Sequence, residues 1–325
     1  QVHAADSQVC DNANTVRTSY AQGLCPSAYQ TVVKSDTVNL GPGSEALTAY
    51  TLSEAVQAFY ATLGRNSIDD AGMAVVSTVR FCITGGCPFE NAFWNGQQMV
   101  YGTNYASADD VVAHELTHGV TQYESQLLYY SESGAINESL SDVFGELFDL
   151  SYNTGADAPA DRWRMGEDLP IGEIRDMEDP TVFGDPDRMT SALYWATPDD
   201  EYGVHINSGV NNKAAFLITD GGTFNGQTIT GLGISKASWV YYEAQTSLLT
   251  AGSDYLDLYV ALPQACTNLV GQHGITTSDC TSVAQAVTAT EMHLDPAVSG
   301  ARLRAAECPA GQVRTSTVYS NDMEA

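Results

Sequence analysis

The spacing of apolar residues along the chain changes near residue 107. Before that point a helical stripe over residues 44–63 is followed by two segments rich in Val, Thr or aromatic residues, 73–81 and 99–101, which we predict to be strands. Beyond it, apolar residues recur at intervals of three and four. This period predicts helices at 107–123, from 134 onward, and near 212–220, 234–250, 254–273 and 278–290. The pattern therefore predicts an α+β fold with a mixed, strand-containing N-terminal part and a mainly helical C-terminal part.

Polar residues and glycines mark the ends of these elements. Ser44 is placed to cap the first helix and Gly64 to end it. Ser107, with Asp110 three residues later, is similar to a capping box and predicts the start of the next long helix. We expect little regular structure in three polar or proline-containing segments: residues 1–40, 151–203 and 292–325.

The charge balance is strongly acidic. The 325 residues include 40 Asp and Glu against 13 Lys and Arg, a formal net charge of -27. Such a surface repels phosphate backbones and anionic lipids, so we expect neither nucleic acid nor a membrane as a partner. No window approaches the roughly 18 apolar residues of a membrane span. Gln1 stands in place of an initiator Met, as expected if a secretory leader has been removed.

The seven cysteines form three close pairs with one left over: Cys10 and Cys25, Cys82 and Cys87, Cys266 and Cys280, and Cys308. This usage indicates an oxidising, extracellular setting. Cys82 and Cys87 predict a loop closed by a disulfide. The alternative, a thiolate zinc site, lacks a second pair at suitable spacing. Cys308 either pairs outside this sequence or is a free thiol.

The segment His114-Glu115-Leu116-Thr117-His118 indicates metal chemistry. Residues four apart share one face of a helix, so His114 and His118 can bind the same metal ion. Glu115 is then placed to act as a base on a water at that metal, as in zinc proteases. The short pattern also occurs by chance on surface helices, so the rest of the chain has to support it.

A catalytic zinc takes three protein ligands and keeps one position open. The candidate for the third ligand is Glu138, which lies in a segment with helical spacing of apolar residues. Metzincins place a third histidine six residues after the second, but here that position is Glu124. The metzincin pattern is therefore disfavoured.

The sequence blocks around these residues closely resemble the thermolysin family of secreted zinc endopeptidases. The matching blocks are 91–96, 99–102, 114–118, 134–138, 141–145, 165–168, 175–177, 185–187 and 203–215. The resemblance covers roughly residues 9–290. Longer members begin with a β-rich segment that this chain lacks, so it resembles the short, protealysin-like branch.

The resemblance implies one zinc ion held by His114, His118 and Glu138, as two histidines and one glutamate hold the zinc of thermolysin. It implies that Glu115 is the general base. The remaining implied roles are donation to the oxyanion by Tyr129 and His205, orientation of His205 by Asp200, and orientation of the zinc-binding histidines by Asp142 and Asn137.

The resemblance also implies a substrate cleft. Residues that line it and bind the substrate backbone match Asn91, Ala92 and Trp94, and the arginine that binds a substrate carbonyl matches Arg175. The pocket for the residue on the amine side of the cut, the P1′ residue, matches the apolar Val111, Met165 and Ile174. We therefore expect cleavage before a bulky hydrophobic residue.

Calcium binding is where the chain departs most from longer members. Asp110, Asp149 and Glu167 match family calcium ligands, but Arg162 and Arg164 stand where carboxylates complete a double site. A calcium ion takes six to eight oxygens. We expect one calcium ion at most, and the alternative is that the arginines form salt bridges with these acids.

These features predict a two-lobed thermolysin-like fold with the zinc helix between the lobes. We expect a mixed lobe at residues 1–124, a mainly helical lobe at 125–291 and a polar tail at 292–325. The expected function is an extracellular, monomeric zinc endopeptidase acting on peptides and proteins, with an inhibitory propeptide as a further candidate partner.

Two alternatives remain open. A metal-dependent aminopeptidase shares the two histidines and a downstream glutamate, but it needs a site for the free amine of the substrate. A secreted, non-enzymatic protein with a structural zinc would need a fourth protein ligand and could dispense with Glu115, Tyr129 and His205.

Overall fold

A four-stranded sheet supports the N-terminal part of the molecule. The computed structural model describes residues 7–20, 24–25, 43–152 and 161–301. The strands are β1 (Ser7–Asp11), β2 (Val75–Val79), β3 (Ala92–Trp94) and β4 (Met99–Tyr101), in the order β1-β2-β4-β3. β2 pairs in parallel with β1 and β4, and β3 pairs antiparallel with β4. β3 is thus an edge strand.

β1 was not expected, because residues 1–40 were predicted to be irregular. Its Ser-Gln-Val-Cys-Asp sequence has no strong strand pattern, but all five residues pair with β2, and Val9 is buried. The predicted strand at 73–81 is confirmed in its central part, Val75–Val79. Pairing with β2, which is distant in sequence, stabilises β1, and the local pattern of apolar residues does not reveal such pairing.

α1 (Glu45–Thr62) packs one face on this sheet and behaves as the sequence predicted. Ser44 is the N-cap, with its hydroxyl accepting a hydrogen bond from the backbone N–H of Leu47. Gly64 follows the helix with a φ of 84°, a left-handed backbone conformation that suits a glycine. Val56 and Tyr60 of α1 are buried in the core.

α2 (Asp109–Tyr123) and α3 (Ser131–Tyr152) form the buried centre of the molecule. The capping box predicted at Ser107 is wrong. Ser107 ends a short 3-10 turn, its hydroxyl donates to the carbonyl of Asn104, and Ala108 is the N-cap without a side-chain bond. Asp110 instead accepts a hydrogen bond from the backbone N–H of Val111 (2.6 Å), so a carboxylate satisfies the positive end of the helix.

The C-terminal part is mainly helical. Its helices are α4 (Asp200–Asn207), α5 (Gly209–Asp220), α6 (Ile234–Glu243), α7 (Tyr255–Asn268) and α8 (Thr277–Ala289). The helix predicted at 234–250 changes to a π-helical turn at Ala244–Leu248, and the one predicted at 254–273 ends five residues early, at Asn268.

Two small antiparallel hairpins interrupt the helices, and neither was predicted. β5 (Arg164–Met165) pairs with β6 (Arg175–Asp176), and β7 (Gly221–Phe224) pairs with β8 (Gln227–Thr230). The Asn225-Gly226 turn between β7 and β8 is a local hairpin signal. β5 and β6 have only two residues each, too few to show a period.

Three disulfides are present, Cys10–Cys25, Cys82–Cys87 and Cys266–Cys280, and the predicted bridge between Cys82 and Cys87 is confirmed. Cys308 and most of the predicted tail lie outside the described residues. The start of that tail is not a polar extension, because Met292 is buried in the core. In the described part of the chain, none of the helices has the length and apolar character required to cross a membrane.

Candidate active site

α2 and α3 bring three metal-binding side chains together. His114 and His118 lie one turn apart on α2, with 3.0 Å between their Nε2 atoms. Glu138 of α3 faces them, with its carboxylate oxygens 3.4 Å from Nε2 of His114 and 3.5 Å from Nε2 of His118. Among the described residues this group has no fourth histidine, cysteine or acid. Three ligands and an open position are typical of a catalytic zinc site.

The residues fit a bound zinc ion. Oε2 of Glu138 is buried and has no hydrogen-bond partner in the described part of the chain, although an uncompensated buried carboxylate is unfavourable. Two imidazoles and one carboxylate oxygen are also the donor types that zinc prefers. The group is therefore suited to a dication at the point on which these side chains converge.

Oxygen acceptors on α3 orient the two histidines. Nδ1 of His114 lies 2.8 Å from Oδ1 of Asp142, and Nδ1 of His118 lies 2.8 Å from Oδ1 of Asn137. With the proton on Nδ1 donated to these oxygens, each Nε2 keeps its lone pair for the metal. Ser141 adds a hydroxyl 3.1 Å from Nδ1 of His118. Ser141 was not singled out from the sequence, although its position one turn after Asn137 on α3 was a usable signal.

Glu115 lies beside the metal-binding group and is almost completely buried. The backbone N–H of Trp94 on β3 donates a hydrogen bond to it, and its Oε2 has no partner among the described residues. Burial raises the pKa of Glu115 to about 7, with the positive charge on His114 opposing this rise. A carboxylate in this state is suited to take and return a proton near neutral pH.

Tyr129 and His205 meet on the other side of the group. The Tyr129 hydroxyl donates to Oε1 of Glu138 and lies 3.0 Å from Nε2 of His205. Burial and the charge of Glu138 raise the pKa of Tyr129, so it remains a protonated donor. Asp200 holds His205 twice, at its Nδ1 (2.5 Å) and its backbone N–H (3.0 Å). Burial alone would lower the pKa of His205, but Glu138 and Asp200 raise it overall.

An unusual turn makes the Asp200–His205 contact. Asp200, Glu201, Tyr202 and Gly203 have φ values of 55°, 47°, 67° and 80°, so the first turn of α4 is left-handed. Three of these four residues are not glycine, so no local sequence signal marks this turn. Its effect is to place the Asp200 carboxylate under the backbone and ring of His205.

These groups line a cleft of about 700 Å³. Asn91, Ala92 and Trp94 line one wall, at and beside the edge strand β3. Arg175 on β6 also reaches the cleft, and its guanidinium donates to both oxygens of Asp142 (2.8 and 2.5 Å).

The apolar residues of the cleft include all three that the sequence predicted for the P1′ pocket: Val111, Met165 and Ile174. Apolar residues of the cleft that were not predicted include Tyr105 and Leu169. Tyr105 lies in the 3-10 turn before α2, and Leu169 lies in the loop between β5 and β6. Their position depends on packing, and no motif marked them.

Family comparisons agree with this geometry. A sequence model of the thermolysin metallopeptidase catalytic domain matches residues 3–122, and one of the thermolysin metallopeptidase alpha-helical domain matches residues 125–292.

The chain belongs to the thermolysin metallopeptidase family.

Several relatives show how far this family likeness extends. The zinc metalloproteinase of Renibacterium salmoninarum is 47% identical over 242 residues, which cover 70% of this chain and 44% of that protein. Thermolysin of Alicyclobacillus acidocaldarius is 42% identical over 238 residues, which cover 70% of this chain and 41% of that protein. The chain therefore spans less than half the length of the curated relatives that it matches.

A solved structure is similar over nearly its whole length. The precursor of protealysin, a metalloproteinase from Serratia proteamaculans, matches with a TM-score of 0.70 and 25% identity, over 90% of this chain and 89% of that chain. The family and the α+β, two-part thermolysin-like fold that the sequence predicted are thus confirmed. The boundaries at residues 124 and 291 stay a prediction.

A second group of acids lies behind the thermolysin-like cleft. Asp110, Glu146 and Glu167 place carboxylate oxygens within 4.8 Å of one another. Asp149, predicted from the sequence to be a ligand, is not part of this group; Glu146, one turn earlier on α3, occupies the place instead. Oε2 of Glu146 and Oε2 of Glu167 are buried without a hydrogen-bond partner in the described residues.

The two arginines near this group do not neutralise it. Arg162 forms a bidentate pair with Asp220, at 2.7 Å for both bonds. Arg164 pairs with Glu173 at 3.2 Å and with Asp176 at 3.6 Å. The alternative in which Arg162 or Arg164 forms salt bridges with the predicted calcium ligands is therefore not what the structure shows.

Proposed function

We propose that this member of the thermolysin family is an extracellular zinc endopeptidase that cuts peptides and proteins before a bulky hydrophobic residue. One observation carries the proposal: His114, His118 and Glu138 converge with no fourth ligand in the described group, and the buried, unpartnered Oε2 of Glu115 lies beside them. Zinc bound there would polarise the scissile carbonyl and lower the pKa of a water.

The side chains around this point have separate roles in proton transfer and in hydrogen bonding to the substrate. Glu115 takes a proton from the attacking water at its unpartnered Oε2 and returns it to the leaving amine. The Tyr129 hydroxyl and Nε2–H of protonated His205 donate to the oxygen that becomes negative as the carbonyl carbon turns tetrahedral. Asp200 keeps His205 oriented and favours its protonated form.

The cleft supports binding of an extended peptide. β3 lies at the edge of the sheet, where an extended substrate can add as a further strand. Arg175, held by Asp142, is placed to donate to a substrate carbonyl. Val111, Met165 and Ile174, with Leu169, offer an apolar pocket that favours a large hydrophobic P1′ side chain.

Both alternatives are less well supported. The carboxylates among the described cleft-lining residues are Glu115 and Glu138, and both already have roles, so no further acid lines the cleft to bind the free amine needed by an aminopeptidase. A structural zinc would be enclosed by four protein ligands, whereas the described group provides three.

Further proposals concern the surroundings of the enzyme. Three disulfides favour an extracellular location. An inhibitory propeptide is a candidate partner, since the similar protealysin structure is that of a precursor. We also propose that the active form is a monomer.

We further propose that Asp110, Glu146 and Glu167 bind one calcium ion, because buried, clustered carboxylates are stabilised by a hard cation.

Cleavage of an end-blocked, internally quenched peptide with one central Phe or Leu tests the main proposal. We expect cleavage on the amino side of that residue, its loss with a zinc chelator and its return with added zinc. A matched peptide with Asp in place of Phe should be cut at least tenfold more slowly. An intact blocked peptide alongside trimming of an unblocked one would instead show an aminopeptidase.

A further inference from the structure

Tyr202 has a backbone conformation that its side chain does not favour. Tyr202 lies in the left-handed turn, three residues before His205, with a φ of 67°. For a bulky side chain this region of backbone conformation is rare and unfavourable. The next residue in the turn is Gly203, and glycine is the residue type that adopts this backbone conformation without steric cost. A tyrosine in the same conformation indicates that contacts of its side chain stabilise the turn.

The Tyr202 ring packs against Tyr130. The two ring centroids are 5.3 Å apart with an interplanar angle of 66°, an edge-to-face arrangement. Such pairs are stabilising beyond the apolar area that they bury. The contact joins two segments that are distant in sequence: the end of the α2–α3 loop and the left-handed turn of α4.

The same two segments carry the proposed oxyanion donors. Tyr129 immediately precedes Tyr130, and His205 follows Tyr202 by three residues. Their polar atoms are 3.0 Å apart. Tyr129 is 45% exposed and the His205 side chain is 50% exposed, so beyond the hydrogen bonds of Tyr129 to Glu138 and of His205 to Asp200, packing around them does little to fix their spacing.

We propose that the Tyr130–Tyr202 contact is a positioning device for catalysis: it sets the separation of Tyr129 and His205 so that both can donate to one oxygen. Tyr130 and Tyr202 are therefore positioning residues, and the strained φ of Tyr202 is tolerated because its ring is needed there. This inference rests on the proposed endopeptidase function. It concerns two side chains that have no part in metal binding or proton transfer.

Tyr202→Gly tests the proposal because a structural role and a positioning role predict opposite results. The variant removes the ring and relieves the backbone strain, so thermal stability should stay the same or rise. If the ring positions the donors, kcat should fall about tenfold with KM within about twofold, since small misplacements of catalytic groups slow the chemical step. Zinc content should remain one per chain.

Tyr202→Phe is the matched control. It keeps the ring and the strained backbone and removes only the hydroxyl, so kcat should stay within about twofold of the original protein. Tyr130→Ala should lower kcat to a similar extent as Tyr202→Gly, and the double variant should be no slower than either single variant. Fully additive losses would overturn a shared role for the two rings.

A measurement that does not depend on turnover separates this inference from the proposed function. In zinc-loaded protein labelled at His and Tyr, the nuclear Overhauser effect between the Tyr129 and His205 rings reports their separation. We expect it in the original protein and in Tyr202→Phe, and a loss of most of its intensity in Tyr202→Gly. An unchanged signal in Tyr202→Gly would overturn the positioning role. A protein that shows the expected signals but cleaves no peptide would instead contradict the endopeptidase function.

Discussion

Buried acids of the same site have opposite pKa shifts in this protein. Burial raises the pKa of Glu115 to about 7, because the neighbouring charges only partly oppose it. Burial acts in the same direction on Glu138 and Asp142, but the histidines around Glu138 and Arg175 beside Asp142 lower both pKa values below their ordinary range. Neighbouring cations thus keep Glu138 and Asp142 ionised as ligand and orienting group, while Glu115 can exchange a proton.

Glu115→Gln tests the proton-transfer role. The amide is nearly isosteric but cannot accept the proton of the attacking water, so kcat should fall by about 10²–10⁴-fold. Zinc bound per chain, measured by mass spectrometry, should not change, because Glu115 is not among the three ligands. Glu90→Gln, at an exposed position beside the cleft strand, is the control and should keep full activity. Retained turnover in Glu115→Gln would remove Glu115 from its role.

At the scale of elements, the zinc site depends on how closely α2 and α3 approach. A Cβ built on Gly145 of α3 would lie 2.9 Å from the carbonyl oxygen of Asp110 on α2. That oxygen belongs to a buried helix and cannot move as the end of a flexible side chain can. Glycine at this position therefore permits the spacing at which Glu138 meets the two histidines.

Gly145→Ala should force α2 and α3 apart. Overpacking costs typically 1–3 kcal/mol, and the higher helix propensity of alanine returns up to about 1 kcal/mol. We expect a net loss of about 1 kcal/mol in unfolding free energy, measured by urea denaturation in the inactive Glu115→Gln background to prevent self-digestion. Gly252→Ala, where a Cβ would meet no atom within 4 Å, is the control and should change stability little. Equal stability of both variants would show that the helices adjust freely.

The Arg162–Asp220 pair joins the loop before β5 to the end of α5, and it predicts a pH dependence. Burial alone would raise the pKa of Asp220, but hydrogen bonds from Arg162 and Trp163 outweigh it and lower the pKa overall. A lowered carboxyl pKa adds stability above the unfolded-state value of about 3.9, and this stability is lost as pH falls through the folded-state value.

Asp220→Asn should therefore destabilise the protein by about 1 kcal/mol at pH 7, as expected for a partly exposed pair. The difference in unfolding free energy from the parent should shrink as the pH falls below about 4. Denaturation at several pH values in the Glu115→Gln background measures this. A difference that is the same at pH 3 and pH 7 would contradict an ionic contribution from Asp220.

For the whole molecule, a net charge of -27 means that repulsion between acids opposes folding, so where the acids lie affects stability. Burial and nearby carboxylates raise the pKa of Glu146 well above its ordinary value, and the pKa of Glu167 is raised to about 9 for the same reasons. Three acids in one buried group repel one another unless a cation joins them. The proposed calcium ion would thus link α2, α3 and the loop after β5.

Calcium at millimolar concentration should raise the melting temperature, because a ligand at 100 times its Kd adds about 2.7 kcal/mol to the folded state. Glu146→Gln should lose most of this gain, although without calcium it should be as stable as the parent or more so, since the ionised form of a buried acid beside two others is unfavourable. Calorimetry of zinc-loaded protein in the Glu115→Gln background, with magnesium as the control ion, measures both effects. A melting temperature independent of calcium would exclude the site.

The sequence by itself determined the features that depend on local spacing. The period of apolar residues placed α1, α2 and α3 to within a few residues, because a helix buries one face at every turn. The same geometry put His114 and His118 on one face, and the ordered blocks around them identified the family that the comparisons confirmed. Close spacing along the chain was also enough to predict the Cys82–Cys87 disulfide.

Only the tertiary structure decided features that depend on distant partners. β1 exists because β2 pairs with it, and only the packed structure shows that Glu146, rather than the predicted Asp149, groups with Asp110 and Glu167. The left-handed turn that brings Asp200 to His205 has unfavourable local geometry at Tyr202, and the Tyr130 ring packs against it from another segment. Local sequence reports the preferences of each segment, whereas these features arise where contacts between segments outweigh those preferences.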